Sequence, residues 1–126
     1  MIELLIVAFG GGAGAISRFL LGAKIQHHWP SPPIPVAMLI VNILGSIGLG
    51  VFFGAMFEGI PIFEYHNPWF LLLGIGYFGA FTTFSTFSVE AITLLEQKKY
   101  PKAVYYIVLS IGGSLAGFVF GIYWFI

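Results

Sequence analysis

Long apolar runs alternate with short polar clusters along this chain. A helix needs about 20 mostly apolar residues to cross the hydrocarbon core of a bilayer. Four stretches reach that length, over about residues 4–23, 35–57, 69–95 and 104–126. The segments between them are brief. The first carries Lys24, His27, His28, Trp29 and four prolines, and the second Glu58, Glu64, His66, Asn67 and Pro68. The third reads Glu96-Gln97-Lys98-Lys99-Tyr100-Pro101-Lys102. Trp29, Trp69 and Trp124 fall near span ends, where amphipathic rings favour the headgroup region. The pattern predicts an all-α integral membrane protein, with residues 1–126 forming one transmembrane domain of four helices.

Composition agrees. Hydrophobic residues make up 59% and charged residues 8%, against about 25% charged in soluble domains. A soluble surface rarely exposes apolar patches beyond a few hundred Å², so lipid must serve as the solvent. The net charge is zero, which gives no reason to expect a nucleic-acid partner. Without cysteine there are no disulfides or thiolate sites. Met1-Ile2-Glu3 offers no positive start, and Ala13-Gly14-Ala15 lies inside a longer apolar run containing Arg18. The first segment is therefore expected to be a retained span rather than a cleaved signal. Lys24, Lys98, Lys99 and Lys102 all fall in the first and third connections, which favours those connections in the cytoplasm.

Small residues recur every four positions: Gly10 and Gly14; Ser46, Gly50 and Gly54; Gly113, Gly117 and Gly121. Such stripes let helix backbones approach closely in lipid. Polar groups within spans are costly and are functional candidates by default. Asn42, near the middle of span two, suits either a helix–helix hydrogen bond or a neutral donor facing an anion. Tyr106, Ser110 and Ser114 share one helix face, as packing or as an ion-lining track. Arg18 lies about one turn inside the end of span one. It suits snorkelling or a fixed charge that draws anions to a pore mouth. Glu90 suits pairing with a cation near the interface or a part in transport. His27, His28 and His66 do not form a plausible metal set, being split across the membrane with no Cys or Asp to join them.

Span three is the unusual one. From Gly79 it reads Gly-Ala-Phe-Thr-Thr-Phe-Ser-Thr-Phe-Ser, hydroxyls alternating with phenylalanines at mid-span. Gly79 and the β-branched and serine residues weaken a helix locally. A break is expected between about Gly79 and Thr83, freeing carbonyls that protein, water or an ion must satisfy. Phe84 and Phe87 share a face, as packing partners or as ring edges turned to a small anion.

With Gly11-Gly12-Ala13-Gly14-Ala15-Ile16-Ser17-Arg18 and Val41-Asn42-Ile43-Leu44-Gly45-Ser46, that run resembles the Fluc/CrcB family of small bacterial fluoride channels over essentially the whole chain. The resemblance implies an antiparallel dimer of four-helix subunits in a bacterial cell membrane, with two pores. It implies passive, fluoride-selective export that limits cytoplasmic fluoride toxicity. Asn42, Phe84, Phe87, Tyr106, Ser110 and Ser114 would line the fluoride pathway, and Arg18 the vestibule. The main-chain carbonyls of Gly79 and Thr82, two from each subunit, would hold a structural Na⁺. The lysine bias leaves open a homodimer or a heterodimer with an oppositely oriented homologue.

The chief alternative is a proton-coupled exporter of the small multidrug type. That chemistry needs a carboxylate deep in the membrane, whereas Glu3 sits at a span end and Glu90 near an interface. A non-transporting scaffold would make the polar groups needless costs. No nucleophile–base pair, phosphate loop or metal cluster suggests an enzyme.

Overall fold

The computed structural model describes residues 1–30, 32, 34–58, 60 and 66–124. Glu64 and the last two positions of the expected fourth span lie outside the described residues. Helix α1 covers Ile2–His28 and α2 covers Val36–Phe57. The third crossing begins as a π-helical segment, Phe70–Tyr77, runs on into a short α3, Phe78–Phe81, and resumes as α4, Phe84–Glu96. Helix α5 covers Tyr100–Trp124. Among the described residues, four helical stretches are long and apolar enough to cross a membrane. Helix α1 runs on to His28 and α5 begins at Tyr100, because backbone hydrogen bonding does not stop where hydropathy falls.

Close backbone packing explains the glycine stripes. A Cβ at Gly10 would collide with the Leu72 carbonyl, and one at Gly14 with the Tyr77 carbonyl. Glycine there lets α1 dock directly on the π-helical segment. A Cβ at Gly50 or Gly54 would meet the Phe118 or Ile122 carbonyl, and one at Gly121 the Ile47 carbonyl. Helices α2 and α5 are thus the tightest pair, joined by small-residue stripes from both sides. Phe53 adds an aromatic clamp, edge-on to Phe118 at 5.9 Å and stacked on Phe70 at 6.1 Å.

The π-helical segment was not expected from sequence. Its start is fixed by Asn67, whose Oδ1 accepts from the amides of Trp69 and Phe70 at 2.9 and 3.3 Å. After α4 the chain reverses tightly. Lys98 is left-handed at φ 59°, Lys98 N donates to Leu95 O and Lys99 N to Leu94 O. That pair of bonds is the Schellman pattern, which satisfies carbonyls at a helix end. It folds α5 back along α4, where Ala91, Leu94, Ala103 and Tyr106 form a small buried cluster.

Much of the remaining apolar surface faces outward. Leu5, Phe9, Ile16 and Phe19 of α1 are exposed, as are Val104, Val108, Leu115 and Val119 of α5. In water these would be liabilities; against lipid or another subunit they are the ordinary covering of a membrane helix.

Candidate functional site

The third crossing is interrupted at Thr82 and Thr83, which leave the helical region with ψ of 156° and 116°. The expected break is present and narrower than anticipated, for Gly79 stays inside α3. Each threonine closes one flank. Thr82 doubles back on Phe78, its amide and Oγ1 both donating to the Phe78 carbonyl at 3.1 and 3.0 Å. Thr83 caps α4, its Oγ1 accepting from Thr86 N at 3.2 Å.

Asn42 on α2 spans the gap. Its Oδ1 accepts from Thr83 N at 2.8 Å and its Nδ2 donates to Thr83 O at 3.0 Å. The two bonds match a side-chain amide to the backbone of Thr83, and Asn42 Oδ1 replaces the Gly79 carbonyl that the break takes from the Thr83 amide. A continuous helix would have given the Thr83 amide to Gly79 O and the Thr86 amide to Thr82 O. Those amides bind Asn42 Oδ1 and Thr83 Oγ1 instead. Among the described residues, no backbone amide reaches the carbonyls of Gly79 or Thr82.

Beside the break runs a groove of about 490 Å³ between α2, α4 and α5. Its walls include Asn42, Phe84, Phe87, Ser110 and Ser114. Five of the six expected pathway residues therefore come together, from three helices. Ser46 and Thr83 join them. The sequence had shown Ser46 in a packing stripe and one turn from Asn42, without a pathway role. The Thr83 signal was a hydroxyl three residues before Thr86, the spacing of an N-cap.

Ser110 Oγ is buried with no hydrogen-bond partner within 3.5 Å among the described residues, the Tyr106 hydroxyl lying beside it. Phe84 is 79% exposed at the groove mouth, with its ring centroid 5.8 Å from that of Phe87. Phe87 in turn lies 5.5 Å from Tyr106. Tyr106, the sixth expected residue, is fully buried rather than among the groove walls, and its hydroxyl donates to Glu90 Oε2 at 3.0 Å. Glu90, read from sequence as pairing with a cation or taking part in transport, thus accepts from a phenol. Arg18 also turns inward, its Nε donating to Ala80 O at 3.2 Å.

A family model described as CrcB-like protein, Camphor Resistance (CrcB), matches residues 5–122. The chain belongs to the CrcB family. Among curated relatives, the "Fluoride-specific ion channel FluC 1" of Halalkalibacterium halodurans is 51% identical over 122 residues, covering 97% of this chain and 96% of that protein. The "Fluoride-specific ion channel FluC 1" of Carboxydothermus hydrogenoformans is 39% identical over 123 residues, covering 98% and 93%. The "Fluoride-specific ion channel FluC" of Roseobacter denitrificans is 39% identical over 125 residues, covering 98% and 94%.

In this CrcB chain the three quoted motifs lie close together in space. Ser17-Arg18 of α1 reaches α3 through Ala80, and Asn42 of α2 reaches Thr83. The Gly79–Ser88 run supplies both partners. What read as three separate signatures is one arrangement around a broken helix.

Proposed function

We propose that this CrcB-family chain is a subunit of a fluoride-selective channel. It passes fluoride down its gradient along a pathway built on the α2–α4–α5 groove, and so limits fluoride in the cytoplasm. The observation that carries this reading is the groove itself. It sets the unpartnered Ser110 hydroxyl, Asn42 and Ser114 beside the phenylalanine pair Phe84 and Phe87. The names of the relatives supply the ion.

The chemistry suits fluoride. A small, strongly hydrated anion loses its water at a cost, and a conducting site must return donors without trapping the ion. Asn42 uses one amide hydrogen on Thr83 O, and a side-chain amide carries two. Ser110 and Ser114 add neutral hydroxyls one turn apart. The edges of Phe84 and Phe87 carry the positive rim of the ring quadrupole. None of these groups is a full charge. Tyr106, buried behind Phe87 with its hydroxyl on Glu90, would continue the hydroxyl track beyond the groove walls.

The pathway is completed by a second copy, or by a homologous subunit, in the opposite orientation. Supporting this are the groove's open side, the exposed Phe84, and the carbonyls of Gly79 and Thr82 left open at membrane depth. Bare carbonyls there demand a partner. They are hard oxygen donors, which fit Na⁺ and not a soft metal. Two from each subunit would hold the ion, and its charge would supply a fixed positive field near the anion route. Lipid covers the outward faces of α1 and α5.

The test is efflux from liposomes loaded with fluoride or chloride. Fast passive fluoride efflux with little chloride efflux is expected. Equal rates for both ions would overturn selectivity. Proton-coupled exchange without a passive anion current would favour the exporter alternative.

A further inference from the structure

Arg18 sits where a charge drawing anions to a vestibule was expected, yet its Nε–H is directed at the Ala80 carbonyl. Ala80 is in the last turn of α3, two residues before the break. Its helical acceptor role would be filled by the amide of Phe84, the first residue of α4 on the far side. Arg18 from α1 thus stands in for an amide that the break has removed. Asn42 from α2 instead replaces a lost acceptor, its Oδ1 taking the Thr83 amide in place of Gly79 O, and its Nδ2 donates to Thr83 O. Between them they occupy the carbonyls of Ala80 and Thr83. Those of Gly79, Phe81 and Thr82 remain without a backbone partner among the described residues.

The surroundings support a fixed rather than a mobile side chain. Arg18 lines a cavity of about 260 Å³ with Gln26, Met38, Thr86 and Glu90. Arg18 and Glu90 share that cavity without forming an ion pair among the described residues, and Glu90 is engaged by Tyr106. A side chain held only by the field of its neighbours would turn to the carboxylate. Here the ordered bond is to a backbone oxygen of the broken helix.

We propose that Arg18 is a positioning residue. It acts through the Nε–H on Ala80 O, holding the end of α3 so that the break keeps its shape, and not chiefly through its charge. The proposal deepens the channel reading and rests on it for the flux measurement alone.

Side-chain chemistry gives a crossover test. In glutamine the side-chain nitrogen is as many bonds from Cα as arginine Nε, so Arg18→Gln keeps an N–H there and loses the charge. Arg18→Lys keeps the charge and puts a methylene at that position. The proposal expects Arg18→Lys to lose about tenfold in fluoride efflux, the scale of one charge-assisted hydrogen bond. It expects Arg18→Gln to stay within about threefold of wild type at both low and high ionic strength. Amide hydrogen exchange at Thr82 and Thr83 should quicken in Arg18→Lys and not in Arg18→Gln. The reverse order, with Arg18→Gln impaired most at low ionic strength, would overturn the proposal in favour of a field effect. So would wild-type flux and exchange in both variants, or equal losses with unchanged exchange. If Arg18→Lys does not elute like wild type on gel filtration, Arg18→Gln decides: retained flux and exchange support the proposal, and their loss overturns it. If wild type passes no fluoride, the channel reading fails, and exchange at Thr82 and Thr83 still decides the role of Arg18.

Discussion

Asn42 and Thr83 exchange two hydrogen bonds, of 2.8 and 3.0 Å, across 41 residues of sequence. The amide of Asn42 takes the place of a turn of helix at the point where the third crossing is interrupted. A polar side chain in mid-membrane is tolerated because both its ends are matched. Only one of its two amide hydrogens is used on Thr83 O.

Removing that amide should therefore harm fold and transport together. Asn42→Ala leaves the Thr83 amide without its acceptor and takes a donor from Thr83 O, at a cost of up to about 1–3 kcal/mol for the unmet amide. Thermal unfolding in detergent should shift downward and fluoride efflux should fall. Asn42→Asp keeps an acceptor for Thr83 N, loses the donor for Thr83 O and adds a charge that repels fluoride. Its efflux should be lower than that of the alanine variant even where its stability is not.

Ser110 should show the opposite split. Its hydroxyl is buried without a partner, so Ser110→Ala removes an unmet polar group and should not lower stability. If the hydroxyl meets the passing ion, efflux should nonetheless fall by about tenfold, the value of one hydrogen bond to a charged group. Unfolding curves and liposome efflux on the same preparation measure both. Wild-type efflux in Ser110→Ala would remove this residue from the pathway.

Phe84 and Phe87 differ in burial, and that separates their roles. Phe84 is 79% exposed, so Phe84→Ile should leave subunit stability unchanged. Phe87 packs on the Tyr106 cluster, and Phe87→Ile should cost up to about 1.5 kcal/mol, as apolar swaps of similar volume do. Both should lose most of their fluoride efflux, because the positive ring edge disappears while the bulk stays. Met at either position is the control, since a polarisable thioether retains part of the interaction. Unimpaired efflux in both isoleucine variants, at matched protein in the membrane, would sink the aromatic-edge mechanism.

The docking of α1 can be tested by one methyl group. Gly14→Ala drives a Cβ into the Tyr77 carbonyl, whereas a Cβ at Gly12 meets nothing within 4 Å. Gly14→Ala should destabilise by about 1–3 kcal/mol, the usual cost of overpacking. Gly12→Ala should be neutral or slightly stabilising, since alanine favours helix by about 1 kcal/mol over glycine. Equal melting temperatures for the two variants would show that α1 does not rest on the π-helical segment as described.

Hydropathy was enough to specify four membrane helices, and the glycine spacing marked faces suited to close packing without saying which helix each would meet. Both are local quantities: a span is a run of apolar side chains, and a stripe is a repeat of four. The break was legible too, because Gly79 and a run of hydroxyl and β-branched residues weaken a helix from within. Its exact place was not. That depended on Asn42 arriving from another helix to satisfy Thr83, a match between groups 41 residues apart. The same holds for Arg18, Tyr106 and Glu90. Sequence marked each as an expensive polar group, yet whether such a group faces an ion, a carbonyl or another side chain is decided by what packs opposite it. The π-helical turn after Asn67 was invisible for a related reason. Its side chains are those of any apolar span, and the contact its backbone makes with Gly10 and Gly14 comes from another helix. Periodicity fixes which elements form; the hydrogen-bond partners of buried polar groups exist only once those elements are packed.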